Sequence, residues 1–241
     1  MNWEIIYIIA SLMILPIFIY GVIAQASVTS TFNRFSTISS SSGMTSAELA
    51  RKLLHSAGVD NVEVVQINGR LTDCYDPRHK VVKLSQATYN STSISALGVC
   101  AHEVGHAIQD AKRSILFRLR IAIVPIVNFV SRAFVPLILL GSILSFTFYL
   151  PAIGYYMCLA SVISYGASLL FQLVTLPLEH DASKKAISML RGTGMFTETE
   201  IKNSKQVLNA AIHTYIASMM TSLVYFLRFL SYIMIFTNRK D

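Results

Sequence analysis

His102 and His106 stand four residues apart, with Glu103 directly after the first, in Gly98-Val-Cys-Ala-His-Glu-Val-Gly-His-Ala-Ile-Gln-Asp110. On an α-helix, residues four apart share a face, so the two imidazoles can grip one ion. Glu103 lies about 100° round the helix, beside such an ion rather than on it, where it can act as a general base on bound water. Gly105 leaves open space on the same helix. This is the H-E-x-x-H arrangement of zinc hydrolases, and chance produces it in about one chain in a few hundred. The bland alternative is a pair of helix-surface histidines with a solvated glutamate. The rest of the helix reads as apolar and partly buried, where unpaired ionisable groups are costly, so the metal reading is preferred.

A catalytic zinc needs a third protein ligand and one open position. Glu179, in Thr-Leu-Pro-Leu-Glu-His-Asp-Ala-Ser183, is the candidate. Gln172, Thr175, Glu179 and Ser183 fall on one helical face and make a polar stripe leaving an apolar segment. His180 and Asp181, on neighbouring faces, are rival ligands. Pro177 should kink or restart the helix there.

These residues must be positioned by a chain that is 53% hydrophobic and only 14% charged over 241 residues, which points to a membrane protein. Ile5–Ile23 is an uncharged apolar run of spanning length, read as a retained anchor because no Lys or Arg precedes it. A Ser/Thr-rich link leads into a polar α+β segment. There Thr45 and Glu48 form a capping box for a helix ending at Gly58, and two strand-like runs follow, Val62–Ile67 and Val81–Leu84. Ser91 or Ser93 can cap the helix that carries the histidines. Beyond Lys112, Ile121–Val130 reads as the start of a tilted span or an interfacial helix, and Ala133–Leu150 as a span. Pro151 to Gly154 reads as a turn and Ile153–Leu176 as another span. Thr197 and Glu200 make a second capping box, starting a helix that continues into a last span, about Ala210–Phe236.

The expected organisation is an anchor (residues 1–26), a polar segment with the H-E-x-x-H helix (27–112), a transmembrane hairpin (113–177), a polar helical segment with the third ligand (178–209) and a C-terminal span (210–241). The net charge of +7 comes without a basic-aromatic module or a Lys/Arg-rich run, so nucleic acid is not an expected partner. The charge flanks apolar spans, and the positive-inside rule places both polar segments on the cytoplasmic side. Arg239 and Lys240 run against that placement. Three cysteines, Cys74, Cys100 and Cys158, have no paired spacing and suit a reducing compartment. Two crossings between His106 and Glu179 would return Glu179 to the side of the histidines.

The chain resembles the YugP-type neutral zinc metallopeptidases of membranes. The resemblance rests on Gly69-Arg-Leu-Thr-Asp-Cys-Tyr-Asp-Pro-Arg78, Lys80-Val-Val-Lys-Leu-Ser85, Ala101-His-Glu-Val-Gly-His-Ala-Ile-Gln109, Leu173-Val-Thr-Leu-Pro-Leu-Glu179 and Leu208-Asn-Ala-Ala211 with Thr214-Tyr215. It is also similar to the wider gluzincin group, whose third ligand is a downstream glutamate. The apolar runs predict a mainly α membrane protein of about four transmembrane helices. A small α+β zincin-like cytoplasmic portion would lie between the first and second. In gluzincins an aspartate commonly stands four residues past that glutamate; here the position is Ser183.

The expected activity is hydrolysis of peptide bonds in a peptide or membrane-protein substrate, with Zn2+ on His102, His106 and Glu179 and with Glu103 as general base. Tyr215, or else His213, could supply an oxyanion donor, and the plain alternative for Tyr215 is an interfacial anchor. Lys80–Ser85 could be an edge strand pairing with extended substrate. Asp73, Asp76 and Arg78 read as a turn or as residues orienting a zinc-bound histidine. The competing function is a catalytically silent zinc-containing membrane adaptor or chaperone. An ion transporter would need ionisable residues deep in several spans, and almost none are present. The lipid bilayer is an expected partner; the sequence does not specify the oligomeric state.

Overall fold

The computed structural model describes residues 2–148 and 151–238. In chain order the elements are α1 (Trp3–Ser36), α2 (Ser46–Ser56), β1 (Glu63–Ile67), β2 (Cys74–Asp76), β3 (Val81–Ser85), α3 (Gln86–Tyr89), α4 (Ile94–Ala111), α5 (Ile115–Phe148), α6 (Pro151–Gly192) and α7 (Glu198–Asn238). The protein is mainly helical with one small sheet. Two compact units divide the chain.

One unit takes Ile23–Arg118 and Leu176–Thr214. Its local signals act as the sequence leads one to expect. Thr45 Oγ1 accepts from the Glu48 amide at 3.3 Å, and Glu48 Oε2 accepts from the Thr45 amide at 2.9 Å, so α2 begins with a closed capping box. Gly58, with φ of +69°, takes the left-handed position that ends it. Ser93 rather than Ser91 caps α4, accepting from the Ala96 amide. The Thr197–Glu200 box opens α7, through Thr197 N to Glu200 Oε2 at 2.7 Å and Glu200 N to Thr197 Oγ1 at 3.3 Å.

The sheet has strand order β1-β3-β2, with β1 parallel and β2 antiparallel to β3. Lys80–Ser85 was expected as an edge strand for substrate. Instead β3 is the central strand, paired on both sides, so its backbone has no free edge to offer. The edge facing away from β1 belongs to β2, a strand of three residues. Val82 and Leu84 of β3, Leu49 and Leu53 of α2, Leu97, Val104 and Ile108 of α4, Leu178 and Leu190 of α6 and Leu208 of α7 share one buried core. Burying each such side chain contributes about 1.5–3 kcal/mol. α4 is buried on nearly every face, which is more than an amphipathic surface helix allows.

The other unit takes Met1–Val22, Leu119–Thr175 and Tyr215–Asp241. Its described elements are all helical. A small core of Ala10, Ile17 and Val224 and a stack of Tyr165 on Tyr225 (ring centroids 5.0 Å apart) hold it together. Its surface carries exposed Leu12, Phe18, Phe129 and Ile163, a pattern suited to hydrocarbon rather than water. Among the described residues, three helices are long and apolar enough to cross a membrane: Trp3–Ser36, Ala152–Gly192 and Glu198–Ile235.

One local expectation is overturned and two lose one of their alternatives. Ile121–Val130 is not a separate interfacial helix but part of the continuous α5. Pro151 to Gly154 is no turn but the first turn of α6, where a proline's fixed φ and missing N–H suit the first helical position. Pro177 does not restart the helix, since α6 runs through it unbroken. The expected span end at Leu150, and Arg239 and Lys240, lie outside the described residues.

Candidate metal centre

α4 presents His102, Glu103 and His106, and α6 brings Glu179 against them. His102 Nε2 lies 3.1 Å from Glu179 Oε2, and His106 Nε2 lies 3.4 Å from the same oxygen. One ligand atom from each of the three residues falls within 4.8 Å of the others, so together they could hold a metal ion. Ligands about 2.1 Å from a tetrahedral zinc stand about 3.4 Å from one another, and this donor set fits that spacing. The side chains of His102, His106 and Glu179 are 15%, 8% and 3% exposed, so the cluster is shielded from water.

The outer hydrogen bonds orient both histidines toward Glu179. Gln109 Nε2 donates to the Leu178 carbonyl at 3.0 Å and to Asp181 Oδ2 at 2.7 Å, which turns Gln109 Oε1 toward His106 Nδ1 at 2.9 Å. Nδ1 then carries the proton and donates, which points Nε2 at the Glu179 carboxylate as the nitrogen that could ligate a metal. On the other histidine, His102 Nδ1 lies 3.2 Å from Ser183 Oγ, so its outward nitrogen is engaged too.

The rival ligands have other places. Asp181 holds Gln109 and Lys185, and His180 is exposed and outside the cluster. The expected stripe divides: Glu179 and Ser183 join the histidines. Gln172 Oε1 and Thr175 Oγ1 are buried with no hydrogen-bond partner among the described residues.

Glu103 is 9% exposed. Its Oε2 accepts the Tyr75 amide of β2 at 2.8 Å, which leaves Oε1 without a protein partner among the described residues. Burial pushes the Glu103 carboxyl up to about 7, against the pull of His102. β2 is in turn pinned to the end of α4, since Tyr75 Oη donates to Asp110 Oδ2 at 2.7 Å and Lys80 pairs with the same carboxylate. Gly105 was expected to leave open space; that space is filled by the α6 backbone. A Cβ at Gly105 would stand 2.8 Å from the Ala182 carbonyl oxygen.

Asp76 takes the turn role, whereas Asp73 reaches across to the start of α3. Asp76 Oδ1 accepts from the Arg78 and His79 amides, and Asp73 accepts from the Ser85 amide at 2.8 Å and from the Ser85 and Thr88 hydroxyls. The outward nitrogens of the cluster histidines are held by Ser183 and Gln109 instead. Tyr215 and His213 both lie on α7, Tyr215 half-buried in the helical unit and His213 exposed in the other.

Sequence reasoning missed Gln109 and Tyr75. Gln109 had a readable signal, since it follows His106 by three residues on one helical face. The use of the Tyr75 amide had none, because a backbone donor leaves no trace in residue type.

The chain is 40% identical over 218 residues to a protein of Bacillus subtilis (strain 168) described as "Putative membrane protease YugP", a match covering 90% of this chain and 92% of that one. No solved structure matches it. A family described as "Putative neutral zinc metallopeptidase" matches residues 10–235, nearly the whole length. With that span matched and H-E-x-x-H folded onto Glu179, the chain belongs to this zinc metallopeptidase family.

Proposed function

We propose that the protein is a membrane-embedded zinc-dependent endopeptidase that hydrolyses peptide bonds. The observation that carries this reading is the closed triad of His102, His106 and Glu179 with the half-engaged Glu103 carboxylate beside it. A zinc ion held there supplies Lewis acidity and an acidified water. Ser183 and Gln109 orient the two imidazoles so that both Nε2 atoms point inward. Glu103 takes a proton at Oε1 while the Tyr75 amide fixes Oε2, then returns that proton to the leaving amine. Tyr215 is kept as the candidate hydrogen-bond donor to the substrate carbonyl oxygen. The substrate is an unfolded peptide or a membrane-protein segment.

The chain crosses the membrane about four times, α5 being the fourth span, and the site works at the cytoplasmic face. The approach of α4 to Glu179 supports an even number of crossings between them.

Metal analysis and cleavage of a disordered substrate test the proposal together. Wild-type protein should carry about one zinc and cut; Glu103→Gln should keep the metal and lose cleavage; Glu179→Ala should lose both. Tyr215→Phe should lower kcat with metal content unchanged. Wild-type protein that holds zinc but cleaves nothing would favour the silent adaptor, and protein without stoichiometric zinc would sink both.

A further inference from the structure

Beside the triad, α6 and α7 enclose a groove with a cavity of about 270 Å³. Its cationic lining comes from Lys184 and Arg191 of α6 and Lys205 of α7, and it contains no carboxylate. Arg191 is already answered by Glu198, at 2.8 Å and 3.0 Å. Lys184 and Lys205 are exposed and make no ion pair within 4 Å among the described residues; Lys184 feels the Asp181 carboxylate only at longer range, so both ammonium groups are open to a ligand in the groove. The half-buried Ile187 and the buried Leu208 add apolar lining suited to a methylene stem.

Ser183 ties this groove to the chemistry. The same residue lines the cavity and places its hydroxyl 3.2 Å from His102 Nδ1, so the groove begins one side chain away from the triad. Its volume is just under the smallest drug-sized pockets, about 300 Å³, and is enough for one or two side chains rather than a cofactor. We infer that this groove is a substrate subsite that receives an acidic side chain, Asp or Glu, of the peptide to be cut. The inference rests on the peptidase reading above. Apolar lining admits the stem, and Lys184 and Lys205 answer the carboxylate.

Binding without turnover tests it. Full-length, zinc-loaded Glu103→Gln protein in uncharged phosphatidylcholine nanodiscs is titrated with fluorescent peptides that differ only in one Glu, Gln or Lys. The Glu peptide should bind about 3–10-fold tighter than the Gln peptide, as two partly screened ion pairs allow, and the gap should narrow at high salt. Adding Lys184→Gln and Lys205→Gln should abolish the preference, and Lys184→Glu with Lys205→Glu should turn it toward the Lys peptide. No binding of any peptide, equal binding of all three, or a preference that survives charge reversal would overturn the subsite. So would charge reversal that alters only the response to added phosphatidylglycerol, because the groove would then hold a lipid headgroup. Loss of the Glu preference with cleavage intact overturns the subsite alone, whereas a Glu preference without cleavage by the wild type overturns the peptidase reading and leaves a peptide-binding groove that is not a substrate subsite.

Discussion

Gln109 settles the tautomer of His106 because its amide nitrogen is already committed to the Leu178 carbonyl and Asp181. Gln109→Leu keeps much of the volume but leaves His106 Nδ1–H without its acceptor. Zinc affinity, read by competition with a chelator, should fall about 10–100-fold. Thermal stability of the metal-free protein should move far less, and an equal loss in both would make Gln109 a packing residue only. Asp76 makes a second prediction at this scale. The Lys83 ammonium first, and then His79, hold its carboxyl well below the usual carboxylate range, with the Arg78 and His79 amides adding to the effect. A depressed folded-state pKa stabilises the native state above the unfolded value of about 3.9, and the gain is lost as pH falls through the folded value. Asp76→Asn should therefore lower stability by about 1 kcal/mol or less near neutrality, given the partial exposure of these pairs. The difference from wild type should shrink below about pH 4. A difference that grows in acid would reverse the sign of this linkage.

Elements show where the sequence could be read and where it could not. Thr45 with Glu48, and Thr197 with Glu200, marked helix starts because capping is local chemistry between neighbours in the chain. β2 escaped because three residues are too few for an alternating pattern, and its pairing with β3 is non-local. The expected edge role for Lys80–Ser85 failed for the same reason. Glu179 was legible because a polar stripe on an apolar helix is itself a periodic signal, whereas the closeness of α4 to α6 was not. That closeness depends on Gly105. In Gly105→Ala the new methyl would meet backbone rather than a flexible side chain, so α6 must shift, and with it Glu179, three residues from Ala182. Zinc affinity should drop at least about tenfold, by displacement rather than loss of a ligand. Gly98→Ala is the matched control, since its Cβ would meet Ser204 of α7 at 3.3 Å and α7 carries no residue of the triad. It should be much milder, helped by the better helix propensity of alanine. If both variants bind zinc as wild type does, the α4–α6 spacing does not control the site.

For the whole molecule, the short distance between His102 and Glu179 constrains the path of the chain. Residues 119–175 belong to the helical unit, yet the residues on either side of them belong to the unit that holds the triad. Under the proposed topology, in which α6 spans the bilayer, a chain that leaves one side and returns to it must cross an even number of times, and α5 is the segment proposed for the other crossing. Lys112, Arg113, Arg118 and Arg120 flank the start of that excursion, and Lys184, Lys185, Arg191, Lys202 and Lys205 follow its return. The segment before α1 carries no Lys or Arg. The proposed cytoplasmic placement of the triad rests on this positive-inside bias. Cys74 offers a native reporter, being exposed in the triad's unit while Cys100 is buried. With Cys158 replaced by serine, a membrane-impermeant maleimide should leave Cys74 unmodified in intact cells. It should label Cys74 in inside-out vesicles. Labelling of intact cells would place the triad outside, against the charge distribution, and would move the search for substrates to the other face of the membrane.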